Sequence, residues 1–141
     1  MKPTGRTCST GFGGPVTVSS DNPVIGSQRV KYYSSFNEVA AVPSTAAALT
    51  QVFPYYDDIS AGVNGDNIHV VNPNATQADF TIALGGSCGT GSFSLAAHTE
   101  NYYSCPTGQG GPVTITSTNA VPIIASQRVK FYQSFNEVAA F

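Results

Sequence analysis

Tryptophan is absent from this 141-residue chain, methionine occurs once, and charged side chains make up only 10% of it. Soluble globular proteins carry roughly 25% charge, so polarity here must come from Gly, Pro, Ser, Thr and Asn. Six basic against eight acidic residues leave a net charge of -2. Binding a phosphate backbone needs clustered cations, so the composition argues against nucleic acid as a partner and against anionic membrane surfaces. No run reaches the roughly 18 apolar residues of a spanning helix, which argues against membrane insertion. The first residues, Met1 to Arg6, lack the apolar centre of a secretion signal. The chain is therefore expected to be cytosolic, processed, or cut from something longer. What is present, 41% hydrophobic residues, suffices for one packed domain with an extension.

The strongest feature is a duplication. Residues 13–42 read GGPVTVSSDNPVIGSQRVKYYSSFNEVAAV, and residues 110–141 read GGPVTITSTNAVPIIASQRVKFYQSFNEVAAF. From Ser27 and Ser126 the copies run together for fifteen residues, differing at Tyr32/Phe131 and where Ser34-Ser35 lies against Gln133-Ser134. Cys8-Ser9-Thr10-Gly11 likewise sits against Cys105-Pro106-Thr107-Gly108. The segment from about Pro43 to Glu100 occurs once. The chain thus holds one front half and two back halves. Residues 43–141 make a complete repeat, and residues 1–42 an orphan C-terminal half-repeat able to donate strands. Either the chain is a piece of a tandem array, or the orphan half completes a neighbour. The alternative is a degenerate duplication folded into one core.

Alternation of apolar and polar residues reads as β. One face carries Ile123, Ala125, Gln127, Val129 and Phe131, the other Ile124, Ser126, Arg128, Lys130 and Tyr132. The first copy repeats this with Val24, Gly26, Gln28, Val30 and Tyr32 against Ile25, Ser27, Arg29, Lys31 and Tyr33. Valine and the aromatic ring should face a core, and the glutamine there should find backbone partners, because an unpaired buried amide is costly. Further strands are expected at residues 16–19, 68–72, 78–84, 92–95, 101–105, 113–117 and 135–139. Only residues 44–52 could form a short helix. Strands spaced in this way indicate an immunoglobulin-like antiparallel sandwich. Each adjacent tyrosine pair (Tyr32-Tyr33, Tyr55-Tyr56, Tyr102-Tyr103) should place one ring inward and one outward. Arg29/Glu38 and Arg128/Glu137 recur at one offset and fit a cross-strand ion pair.

Three cysteines are an odd number. The simplest pairing is Cys88 with Cys105, leaving Cys8 for an intermolecular or inter-repeat bond. No zinc-type spacing occurs. His69 and His98 lack a nucleophile motif, and Gly108 to Gly111 is no phosphate loop, since no GK[ST] follows. Asp57, Asp58 and Asp66 could offer oxygens to calcium, but a solvated acidic turn is the simpler reading. Asn74-Ala75-Thr76 is a glycosylation sequon at Asn74 on a predicted turn. No catalytic residue, metal or cofactor is expected.

The segments FPYYDD (53–58), IHVVNPN (68–74), GGPVTI (110–115) and ASQRVKFYQSFNEV (125–138) resemble the β-sandwich repeats of large secreted surface proteins of Chloroflexi-type bacteria. The resemblance implies an extracellular or cell-surface location and a structural or adhesive role. The expectation is therefore a non-enzymatic fibre or filament subunit joined head-to-tail by strand complementation. Its partners are copies of itself or adjacent repeats. The assembly surface would comprise Val16, Val18, Val24, Val30, Tyr32, Phe36 and Val39. The alternative is an adhesive or carbohydrate-binding module that meets surface glycans.

Overall fold

A computed structural model describes residues 14–141. The chain is all-β, with twelve strands among the described residues: β1 (Ser27–Tyr32), β2 (Ser35–Ala40), β3 (Thr50–Phe53), β4 (Tyr56–Asp57), β5 (Val63–Val71), β6 (Ala78–Leu84), β7 (Gly89–Leu95), β8 (Glu100–Tyr103), β9 (Gln109–Gly110), β10 (Val113–Ser117), β11 (Ile124–Phe131) and β12 (Ser134–Ala139). Two four-stranded antiparallel sheets, ordered β3-β10-β6-β7 and β12-β11-β5-β8, form a sandwich. All of it lies within residues 43–141. Strands β1 and β2 pair only with each other, and β4 with β9.

Apolar residues at every second position fill the space between the sheets, as a half-buried strand requires. Ala78, Phe80 and Ile82 of β6, Ile68 and Val70 of β5, and Val113 and Ile115 of β10 are all buried. Phe53, Tyr56, Leu95, Ile123 and Ala125 complete this core, to which nothing from residues 14–42 contributes. Phe80, Phe93 and Tyr103 form an aromatic cluster at one end, Phe93 and Tyr103 lying 4.4 Å apart.

The two sheets are tied along both open sides. On one side Val52 exchanges backbone hydrogen bonds with Phe141, and Ala48 with Ile123. On the other a disulfide joins Cys88 to Cys105, just before β7 and just after β8. Two buried amides fasten the loops. Asn72 Nδ2 donates to the carbonyls of Thr76, Leu95 and Ala96, while its Oδ1 accepts from Asn74. Gln51 Nε2 donates to Ala46 O and Ile123 O.

Three expectations need correction. Residues 44–52 form no α-helix; a single 3-10 turn spans Ser44–Ala46, and β3 begins at Thr50. Gln51 is captured by carbonyls and β3 by β10, so tertiary pairing overrides a weak local preference. Residues 16–19 form no strand. The inner face of β11 holds Ala125 in the core, but burial falls off along the strand and Phe131 at its far end is 49% exposed.

Candidate assembly interface

The duplicated sequence makes the same object twice. Ser27 opposes Ala40, Gln28 opposes Val39 and Arg29 opposes Glu38, onward to Tyr32 and Ser35; the β11–β12 register is the same, residue for residue. Both turns carry a tyrosine at positive φ, Tyr33 at 51° and Tyr132 at 49°. A serine then closes each: Ser35 Oγ donates to Tyr32 O at 3.1 Å, and Ser134 Oγ to Phe131 O at 2.9 Å. The expected ion pairs are present, Arg29–Glu38 at 2.8 Å and Arg128–Glu137 at 2.6 Å. Ser27 and Ser126 each donate to the same glutamate as the arginine does. Arg29 and Ser27 together hold the Glu38 carboxyl below its usual range. Each arginine also sits over a phenylalanine, 5.3 Å from Phe36 and 5.6 Å from Phe135. The same local contacts thus recur in both hairpins.

The surroundings of the two hairpins differ. Strand β11 has β12 on one edge and β5 on the other, from Ile124 opposite Val71 to Phe131 opposite Val63. Strand β1 has only β2. Upstream the contrast sharpens: Val113, Ile115 and Ile123 are wholly buried, whereas their counterparts Val16, Val18 and Val24 are 84%, 73% and 59% exposed. The first copy presents the same apolar groups with no front half to cover them.

Directly opposed residues on paired strands share a face. One face of the first hairpin carries Val30, Tyr32, Ser35, Asn37 and Val39, all half-buried, with Gln28 exposed at its open end; the other carries Arg29, Lys31, Phe36 and Glu38, all exposed. The first face lies on the outer face of the β11–β12 hairpin. Asn37 Nδ2 donates to Asn136 Oδ1 at 3.0 Å and to Phe135 O at 3.4 Å, and Ser35 Oγ donates to Gln133 O at 3.1 Å. The Tyr32 ring meets Phe135 edge-on at 5.7 Å. Phe135 is consequently 9% exposed, while its twin Phe36 is 65% exposed. Of the expected assembly residues, Val30, Tyr32 and Val39 therefore face the chain's own sandwich, and Val16, Val18, Val24 and Phe36 face solvent. Alternation placed Val30 and Tyr32 correctly on one face, but the face rests on an exterior surface and not in a core.

The other sequence candidates resolve into structural roles. Cys8 lies outside the described residues. Asp66 is buried, accepting from Asp57 N at 2.8 Å and from Gln127 Nε2 at 2.8 Å, which gives the inward glutamine its partner. Burial raises the Asp66 pKa, with the Asp58 and Asp57 charges adding to it. Asp58 Oδ1 accepts Asp66 N, and Asp57 Oδ1 accepts Ile59 N and Ser60 N. These carboxylates are spent on turn amides, and no group of three or more metal-type side chains lies together among the described residues. His69 Nδ1 lies 2.6 Å from Glu100 Oε1 across β5 and β8. Asn74 Nδ2, the atom a glycan would occupy, donates to Asn72 Oδ1 and to Pro122 O at 2.7 Å. Glycosylation at Asn74 would have to break both bonds. Each tyrosine pair splits as expected, with Tyr56 buried and its hydroxyl pushed up to about 12 by burial. That hydroxyl accepts from Cys105 N at 2.7 Å, beside Gly108, where a Cβ would stand 2.6 Å from Cys88 Sγ.

Comparison with family models, curated proteins and solved structures finds no match.

Proposed function

We propose that this chain is a non-enzymatic structural module of an extracellular or cell-surface fibre, built from immunoglobulin-like sandwiches that share strands. The observation that carries this reading is the paired contrast between Val113, Ile115 and Ile123, buried in the core, and Val16, Val18 and Val24, bare to solvent in a near-identical sequence. An exposed apolar edge of this kind is a template for another chain. Burying one such side chain stabilises by roughly 1.5–3 kcal/mol. The complement is a front half like residues 43–104, whose β5-type strand would pair with β1 as β5 pairs with β11. Every copy brings one front half and two back halves, so copies alone leave a back half over; an adjacent repeat supplies the missing part. The low charge, the Cys88–Cys105 disulfide and the resemblance to surface-protein repeats support an oxidising, extracellular setting.

The test is a fusion in which a second copy of residues 43–104 precedes residues 8–141. The reading expects slow hydrogen exchange at the β1 amides and a second disulfide, from Cys8 to the added copy of Cys88. Amides of β1 that exchange as fast as in the parent chain would overturn it. An adhesive role has one observation in its favour. An open groove of about 490 Å³ beside the disulfide is lined by Ile82, Leu84, Phe93, Tyr102 and Tyr103 among others, and tyrosine faces stack on sugars. Binding on a glycan array that is lost in Tyr102→Ala would support that role; an inert array would discard it.

A further inference from the structure

The contact between the two hairpins joins two copies of one sequence, and it joins unlike faces. The inner-type face of the first copy (Tyr32, Ser35, Asn37) meets the outer-type ring of Phe135 in the second, together with Gln133 O, Phe135 O and Asn136 Oδ1 along β12; Asn136 is itself an inner-type residue whose oxygen reaches this contact while its amide nitrogen stays unused. A contact between equivalent units through non-equivalent surfaces is heterologous, and it leaves one unused half at each end. Both unused halves are visible. On the C-terminal hairpin, Phe131, Ser134 and Asn136, the twins of Tyr32, Ser35 and Asn37, are exposed, and Asn136 Nδ2 makes no hydrogen bond among the described residues. On the N-terminal hairpin Phe36, the twin of the covered Phe135, stands bare under Arg29, and Asn37 Oδ1 accepts nothing among the described residues.

We propose that the intrachain contact is one rung of a ladder, and that the C-terminal hairpin of one molecule docks its Phe131–Asn136 face onto the Phe36 face of a second copy. In this contact Asn136 Nδ2 would donate to Asn37 Oδ1 of the next molecule. Ser134 Oγ would donate to its Ser34 carbonyl, and the Phe131 ring would meet its Phe36 edge-on, as Tyr32 meets Phe135. The occupant follows from the contact already present, because the same residues in the same register fill it. Each molecule brings one face of each kind, so the numbers balance in a chain of any length. The ladder rests on the proposed function only in that copies associate through the duplicated back half. It uses the broad faces of the hairpins, whereas strand complementation uses the free edge of β1.

The test is sedimentation velocity on the full chain, wild type and variants alike carrying Cys8→Ser, which removes any contribution from Cys8 and leaves the Cys88–Cys105 bridge intact. The wild type should associate as concentration rises toward the millimolar range, as small weak interfaces do. Phe131→Lys and Phe36→Lys, each at an exposed ring, should each stay monomeric, with association weakened about tenfold or more. Urea unfolding of each variant, expected to match wild type within about 0.5 kcal/mol at these exposed positions, guards against a folding defect. The discriminating result is the mixture: Phe131→Lys supplies an intact Phe36 face and Phe36→Lys an intact Phe131 face, so together they should form a 1:1 dimer and nothing larger. A wild type that stays monomeric, single variants that associate like wild type, or a mixture that yields no dimer would each overturn the proposal. None of these readings depends on exchange at β1, so the fusion experiment can fail or succeed separately.

Discussion

Val16 and Val113 occupy the same place in the same motif, GGPVT, and alanine substitution at each isolates context from chemistry. At Val113 the side chain is wholly buried between the sheets, on a strand that pairs with β3 and β6. Removing two methyl groups costs about 1.6 kcal/mol of transfer free energy at ~0.8 per buried carbon. The cavity left in a packed core raises this to about 2 kcal/mol. At Val16, 84% exposed, the same change should stay within about 0.5 kcal/mol. In thermal melts the two variants should differ by roughly 6–8 °C for a domain of this size. Urea unfolding followed by circular dichroism reads both, with unchanged slopes confirming that only stability has moved. The prediction sharpens in the fusion carrying an added front half, where the cost at Val16 should climb to that at Val113. Equal costs in the parent chain would refute the reasoning, since they would mean that the first copy is buried as deeply as the second.

Asn72→Ala should destabilise by about 3 kcal/mol, because the carbonyls of Thr76, Leu95 and Ala96 lose their shared donor in a buried setting; urea midpoints check this, and a neutral result would mean that water replaces the amide at no cost. Asp66 makes a pH prediction. Its folded pKa is raised by burial, so the native state binds the proton more tightly than the unfolded chain, and the Asp66 contribution to stability grows as pH falls through the raised value and levels off below the unfolded one. The stability of wild type relative to Asp66→Asn should therefore rise from pH 7 to pH 4, and a difference that falls over that window would contradict the assignment. Asp79, whose pKa is lowered by hydrogen bonds from Ser94 and Gln77, slopes the other way in both proteins and, being remote from Asp66, cancels in that difference.

How far the sequence could be read depended on where each segment's partners lie. Strand β6 and strand β10 were legible to the residue, because alternation in ADFTIAL and VTITS reports a sheet with one buried face. The Cys88–Cys105 pair and the Arg–Glu pairs followed from counting and from the repeated offset. VTVS at residues 16–19 defeated the same rule, although it differs from the β10 sequence by little. A strand of this kind is stabilised by its neighbours more than by its own propensity, and the neighbours that β10 finds in β3 and β6 are already taken. Phe131 was misread for a related reason. Periodicity reports which side a ring takes but not how far along the strand burial persists, nor that a second hairpin covers the outside. The hairpin-on-hairpin contact was invisible in the sequence, since nothing in two identical ribbons says which face of one meets which face of the other.

The edge where Val52 pairs with Phe141 also determines how the module would respond to tension. The sandwich segment enters at residues 43–50 and leaves at Phe141 on this same edge, because Val52 and Phe141 run antiparallel and exchange both backbone bonds. A pull on the two ends therefore loads those bonds one at a time, and then peels β12 from β11 starting where Ala140 N donates to Ala125 O. Single backbone hydrogen bonds broken in sequence resist far less than a row broken together. Meanwhile β6, β7 and β8, locked by the Cys88–Cys105 bridge, lie away from the line of force. A string of such modules would lengthen under load by paying out their last strands while the bridged portion stays folded, and would rewind from that intact template when the load is released.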